Sequence, residues 1–264
     1  MEKVTVIKIG GSTLGNHDTT IDDLVALQKR GESLVVVHGG GNRVTEWLKR
    51  QGVTTEFVHG ERVTDATALE VATAVLAGLV NKEIVAAINN RGGRAIGVSG
   101  IDGSLIEGRV KSREMGYVGE AVNINPQILE TLLQSGFMPI VSSMSLYAVD
   151  RLSGAAQILN INADPTAGDL AAALRAEKLI FLTNVAGIND ASGKVIPRLA
   201  ARKAQSLVES GVISGGMIPK LNACLTALNV GATARIIDGR QLNALMNEYK
   251  GRGGGTTVYK ESDD

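Results

Sequence analysis

Short runs rich in Val and Ile recur along the chain, separated by longer stretches with the apolar period of an α-helix. Val4–Ile9, Ser33–Val37, Arg94–Val98, Met138–Val141, Lys178–Leu182 and Ala234–Ile237 predict strands. Most lack polar alternation, the pattern of strands covered on both faces. Thr20–Arg30 and Val44–Gln51 predict helices ending at Gly31 and Gly52. Thr64 is a candidate cap for a long helix over Asp65–Asn90, broken or kinked near Gly78. Asn125-Pro126 opens another helix, and Thr166–Arg175, Ala200–Ser210, Met217–Asn229 and Gln241–Tyr249 complete the set. Strands alternating with helices imply an α/β fold, a three-layer αβα sandwich around a central, mainly parallel sheet. Glu107–Asn123 and Val149–Asn162 break the pattern and predict β-hairpins or loops over one edge.

Composition narrows the function classes. Lys+Arg and Asp+Glu are both 27, for a formal net charge of zero over 264 residues. That balance excludes the broad electrostatic footprint of a nucleic-acid binder, though not a local basic pocket. Aromatic residues at 3% argue against stacking platforms for single strands. One cysteine, Cys224, forms no internal disulfide and no metal site alone, which points to a reducing, cytoplasmic setting. No signal peptide and no uninterrupted apolar stretch of roughly 18–20 residues is seen, so a membrane is not an expected partner.

Glycine is the abundant residue, at 32. Three predicted strands run straight into it: Ile9-Gly10-Gly11, His38-Gly39-Gly40-Gly41 and Ser99-Gly100. Glycines beyond the carboxyl ends of parallel strands, followed by helix starts, present free N–H groups to an anion. One such turn alone is as readily a tight βα connection; three favour an anionic ligand. Neither the dinucleotide fingerprint nor the P-loop is complete. Lys8 sits within an apolar strand just before Gly10-Gly11, so its ammonium requires a buried counter-charge or an anion. Asp164, just before Pro165, reads on its own as a helix N-cap, and Lys220, after Gly215-Gly216, as a solvent-exposed helical lysine. His17 and His59 read as loop residues, His38 as packing beside its turn, and Cys224 as core.

Five ordered stretches nevertheless resemble the amino acid kinase family: Lys8-Ile9-Gly10-Gly11, Val37-His38-Gly39-Gly40-Gly41, Gly60-Glu61-Arg62-Val63-Thr64, Asn160-Ile161-Asn162-Ala163-Asp164 and Gly216-Met217-Ile218-Pro219-Lys220. The resemblance spans residues 4 to about 256 and implies one domain over 1–264, with a substrate lobe near 1–170 and an ATP lobe near 171–264. It implies transfer of phosphate from ATP, as Mg-ATP, to the side-chain carboxylate of N-acetyl-L-glutamate. It assigns catalysis to Lys8, Lys220 and Asp164, with Asp164 organising the two lysines. Substrate contacts fall on Gly40, Gly41, Arg62 and Asn160. Nucleotide contacts fall on Gly10, Gly11, Asn184, Val185, Ala186, Gly187, Ile188, Asn189, Val212, Ile213 and Ser214, with no protein-held metal.

The chemistry suits these residue types. A carboxylate acceptor with a pKa of about 4 is already ionised at neutral pH and needs no general base. Fixed ammonium groups and N–H donors answer the remaining problem, charge on the migrating phosphoryl group. Pro165 and Asn184 depart from the family pattern, where small or polar residues and Asp are usual. The chain opens at its first strand, without the helix through which regulated relatives form hexamers, so the resemblance implies an unregulated homodimer. Rival readings are a kinase for carrier-protein-bound aminoadipate or glutamate, and a non-catalytic nucleotide or amino-acid sensor. Arg62-Val63-Thr64 and the intact Lys8, Lys220 and Asp164 favour the catalyst of the free acetylated amino acid.

Overall fold

A computed structural model describes residues 3–10, 19–58, 60–150 and 153–261. The first half runs β1 (Val4–Ile9), α1 (Thr20–Lys29), β2 (Ser33–His38), α2 (Gly41–Arg50) and a short hairpin of β3 (Phe57–Val58) and β4 (Glu61–Arg62). Then come α3 (Ala66–Thr73), α4 (Asn81–Asn90), β5 (Ala95–Ser99), β6 (Ile106–Val110), β7 (Val118–Ile124), α5 (Gln127–Gln134), β8 (Met138–Ser142), β9 (Met144–Tyr147) and β10 (Ile158–Ile161). The second half holds α6 (Ala163–Ala173), β11 (Lys178–Thr183), β12 (Arg198–Ala200), α7 (Ala201–Glu209), α8 (Met217–Leu228), β13 (Thr233–Asp238), α9 (Ala244–Tyr249) and β14 (Thr256–Tyr259).

Eight of the described strands form one sheet in the order β12-β14-β13-β11-β1-β2-β8-β5. Every pairing is parallel except β13 with β14. Alternate residues of β1 serve opposite layers. Val4 and Val6 pack with α5–α8, whereas Ile7 and Ile9 pack with α1–α4 and α9. Each such fully buried Val or Ile contributes about 1.5–3 kcal/mol, so the central strands are fixed firmly from both sides. The three-layer sandwich is therefore as expected. The first irregular segment becomes β6 and β7 and the second holds β10; with β9, which precedes the second segment, they form a small closed barrel at one flank.

The long helix departs from expectation in two ways. Asp65, not Thr64, caps it by accepting the Ala68 N–H at 2.7 Å, while Thr64 is fully buried and bridges to Gly116. Near Gly78 it does not break: Ala74–Val80 widens into a π-helical turn between α3 and α4. The combined helix Ala66–Asn90 is also long and apolar enough to cross a membrane by length and composition, although the sequence expectation found no such stretch. Leu69, Val71, Val75, Leu76, Ile84 and Ile88 along it pack into the core beneath the sheet.

Strand order reverses between the parallel neighbours β1 and β11: connections lead from β1 towards β2 and from β11 towards β13. In an open α/β sheet such a switch point leaves a crevice at the carboxyl ends of the strands. Lys8, paired in register with Phe181, lies there.

Candidate active site

Three charged side chains meet at the switch point. Lys8 shares the face of Val4 and Val6 and points towards α6, and it is only 7% exposed. The Asp164 carboxylate receives it: Lys8 Nζ lies 2.6 Å from Oδ1, and Lys220 Nζ lies 2.6 Å from Oδ2. One buried carboxylate thus holds two ammonium groups, one per oxygen. Asp164 is not the helix cap that its sequence position suggests. Asn162 caps α6, its Oδ1 accepting the Asp164 N–H at 2.9 Å, which leaves the carboxylate of Asp164 free for the lysines. Pro165 falls in the first turn, where no intrahelical donor is lost.

Close helix packing sets the spacing of the pair. A Cβ on Gly168 would stand 2.7 Å from the Ala223 backbone, so α6 and α8 touch at a point where only glycine fits. Asp164 lies one turn before Gly168 on α6, and Lys220 nearly one turn before Ala223 on α8. Lys220 also donates to the Gly216 carbonyl at 3.2 Å, which aims it along the helix start.

Electrostatics follow from this geometry. Burial opposes ionisation of Asp164, but the charges of Lys8 and Lys220 outweigh it and hold the carboxyl below the usual carboxylate range. Burial lowers the pKa of the Lys8 ammonium, with Asp164 opposing that shift and Lys220 reinforcing it. A cluster of one negative and two positive charges carries a net positive charge in a site shielded from water. It is built to attract a further anion.

Beside the triad lies a cavity of about 240 Å³, lined among others by Lys8, Gly40, Gly41, Arg62, Asn160 and Asn162. All four expected substrate residues are therefore brought together with Lys8. Arg62, in β4, donates through Nη2 to Gly41 O at 2.9 Å and Thr45 Oγ1 at 2.6 Å, and its guanidinium stacks on Phe57. Its Nη1 is buried and has no acceptor among the described residues. A rigid guanidinium with an unsatisfied donor is a ready partner for a carboxylate. Asn160 donates to Thr64 Oγ1 at 3.2 Å, tying the small barrel to the start of the long helix.

Asn162 and Glu61 are among the lining residues to which the sequence assigns no role. Asn162 stands within its motif, but its capping role requires the start of α6 to be known. Glu61 is paired with Lys111 at 2.6 Å and lies 3.4 Å from Asn162 Nδ2, a link between β4 and the barrel that no local pattern reveals.

On the other side of the switch point, a cavity of about 350 Å³ opens beyond β11 and β13. Its lining includes Ala186, Asp238, Gln241, Asn247 and Arg252–Gly255. Of the expected nucleotide residues that are described, only Ala186 lines it. Asn184, Val185 and Asn189 are exposed on the same loop, while Gly187 and Ile188 are buried, the Ile188 N–H donating to Thr256 Oγ1 at 2.9 Å. Val212, Ile213 and Ser214 lead into α8 and do not line that cavity, and Ile213 is core. Gly10 continues the sheet, its N–H donating to Leu182 O at 3.2 Å, and Gly11 lies outside the described residues, as do His17 and His59. Among the described residues no group of three or more His, Cys, Asp or Glu is placed to hold a metal ion.

A family model described as the amino acid kinase family matches residues 3–238. A protein of Dehalococcoides mccartyi named acetylglutamate kinase is 44% identical over 255 residues, covering 97% of this chain and 94% of its own. The N-acetylglutamate synthase of Neisseria gonorrhoeae, solved with coenzyme A and N-acetyl-glutamate, superposes with a TM-score of 0.83 at 25% identity, over 98% of this chain and 60% of that one. Carbamate kinase from Giardia lamblia bound to AMP-PNP shares the fold, with a TM-score of 0.72 at 16% identity over 98% and 99% of the two chains.

Proposed function

The chain belongs to the amino acid kinase family, and we propose how its crevice performs one reaction of that family. The protein phosphorylates the side-chain carboxylate of N-acetyl-L-glutamate with ATP, giving N-acetyl-L-glutamyl 5-phosphate, a step of arginine biosynthesis. The observation that carries the residue assignment is the pair of ammonium groups held by one buried carboxylate beside a cavity with an unsatisfied arginine donor.

Recognition falls to the cavity. Arg62 takes the α-carboxylate, and Asn160 with the Gly40 and Gly41 N–H groups orients the rest of the acceptor towards Lys8. The nucleotide enters from the side of β11 and β13 as Mg-ATP, its metal neutralising phosphate charge and travelling with the nucleotide. A carboxylate oxygen attacks the γ-phosphorus while the bond to the β-bridging oxygen breaks and its electrons leave with ADP. No proton moves. Lys8 and Lys220 neutralise charge on the transferring oxygens, and Asp164 keeps both ammonium groups in place through the step. We assign acceptor binding to residues 1–170, nucleotide binding to 171–264, and a homodimeric assembly to the protein.

Parallel assays of ATP consumption with N-acetylglutamate, glutamate, aspartate and aminoadipate, with hydroxylamine trapping the acyl phosphate, test the assignment. A hydroxamate from N-acetylglutamate, in excess over the others, is expected. Its absence, or a stronger signal with a different acceptor, overturns the assignment.

A further inference from the structure

His38 ends β2 and is 1% exposed, in register with Ile9 on one side and Ser142 on the other. Both of its ring nitrogens are engaged. Nδ1 lies 2.9 Å from the Gly39 carbonyl oxygen, and Nε2 lies 3.2 Å from Asn81 Nδ2. The orientation of the Asn81 amide is set by its surroundings. Its nitrogen faces the carbonyls of Ile140 at 2.8 Å and Val98 at 3.3 Å, and its oxygen accepts from Lys82 Nζ at 3.0 Å. Asn81 Nδ2 is therefore a donor, its two hydrogens shared among three neighbours, and a hydrogen on Nε2 of His38 would face it, so Nε2 is the bare nitrogen. A carbonyl only accepts, so the proton of the neutral ring sits on Nδ1 and is given to Gly39.

That bond fixes a peptide plane. No cis peptide occurs among the described residues, and in a trans peptide C=O and N–H point in opposite directions. With the Gly39 carbonyl turned to the imidazole, the N–H of Gly40 in the same plane points away from it. The turn lines the acceptor cavity, and this N–H has no acceptor among the described residues. The π-helical turn that delivers Asn81 also clamps the other side: a Cβ on Gly40 would stand 2.7 Å from Leu76 Cδ2 and 3.4 Å from Val80 Cγ2. Widened turns of this kind cluster at functional sites, and here one seats a loop and its anchoring amide together.

We propose that His38 is a positioning residue for the acceptor: as the Nδ1–H tautomer it sets the Gly39–Gly40 peptide so that the Gly40 N–H is presented to the acceptor carboxylate. The proposal rests on the acceptor assignment above. It separates the ring's two contacts, because an asparagine amide reaches the place of Nδ1 and a glutamine amide the place of Nε2.

The experiment compares His38→Asn and His38→Gln in the full-length protein. His38→Asn keeps the bond to Gly39 and is expected to hold the KM for N-acetylglutamate within about threefold of wild type. His38→Gln keeps only the bond to Asn81 and is expected to raise that KM at least tenfold, with the ATP KM within twofold in both. A purely structural histidine would instead lower thermal stability and move both KM values together. Equal KM values for the two variants overturn the proposal. The ¹⁵N spectrum of histidine-labelled wild type, with His38 assigned by its loss in either variant, is an independent readout. A protonated Nδ1 and bare Nε2 support the proposal; the reverse pattern overturns it. If wild type forms no acyl phosphate from N-acetylglutamate, the acceptor assignment fails on its own, and the ¹⁵N pattern still decides for or against the tautomer.

Discussion

The two sides of the crevice are both made from strand ends followed by glycine, yet one is built on buried side-chain donors and the other carries more exposed side chains. On the acceptor side, Arg62 is 7% exposed, bound to Gly41 and Thr45 and stacked on Phe57, and the glycine turn is clamped between His38 and a π-helical turn. On the nucleotide side, the lining includes Leu242, 63% exposed, and the Gly253-Gly254-Gly255 run, while Asp238 is satisfied by a neighbouring exposed Arg240. Rigid, buried donors discriminate between small acceptors, because a mismatched ligand leaves them unpaired. A polyphosphate needs less shape and more N–H groups, which backbone supplies. The Lys8–Asp164–Lys220 cluster stands between the two.

The largest separation should come from the triad. Lys8→Ala and Lys220→Ala are each expected to lower kcat by about a hundredfold or more, the loss typical of one fixed charge-stabilising donor, with KM values little changed in steady-state assays. A KM effect without a kcat effect would move that lysine out of the chemistry and into recognition.

Next is pH, which probes the acceptor side through stability. Burial of His38 pushes its pKa down to about 4 from the usual 6.5, chiefly by desolvation. The unfolded chain therefore takes up a proton before the folded one, so the contribution is intact above pH 6.5 and is lost as pH falls towards 4. At 1.36 kcal/mol per unit this is about 3 kcal/mol. Asp169, raised to about 6 by burial, acts in the opposite sense over part of that range. The measurement is therefore a difference: urea unfolding of wild type and His38→Asn at pH 7.5 and 4.5. The variant should lack the His38 component of the slope.

Arg62→Lys replaces a fork by a point charge and abandons the stack on Phe57. The KM for N-acetylglutamate should rise about 10- to 100-fold, the range of a charge-assisted hydrogen bond, while that for ATP holds. An equal rise in both would erase the contrast between the two sides. The smallest effect belongs to the open side. Arg252 is exposed at the lip of the nucleotide cavity, so Arg252→Ala should raise the KM for ATP only a few-fold and leave the acceptor unaffected.

What the sequence made legible follows the same division. Apolar runs placed all six expected strands of the main sheet within a residue or two, because strands buried on both faces carry an unbroken signal. The motif residues Lys8, Asp164, Lys220, Arg62, Gly40, Gly41 and Asn160 converge around one charged cluster and one cavity. Local patterns fared worse where a long-range partner decides. Asp164 looked like a cap because Pro165 follows it, yet Asn162 caps and the lysines claim Asp164. Gly78 reads as a break or kink, yet the helix continues there through a π-helical turn whose Leu76 and Val80 pack on Gly40. His38 packs beside its turn as expected, but its contact with Asn81, 43 residues away, carries no local signal. The nucleotide side was the least legible, since backbone N–H groups and glycines leave little side-chain signature.

Single-turnover phosphoryl transfer at saturating ATP and N-acetylglutamate tests the central division most directly. Saturation removes recognition defects, so Arg62→Lys should recover a rate near that of wild type, while Lys220→Ala should remain slower by about a hundredfold or more. A Lys220→Ala protein that transfers phosphate at the wild-type rate would contradict the account.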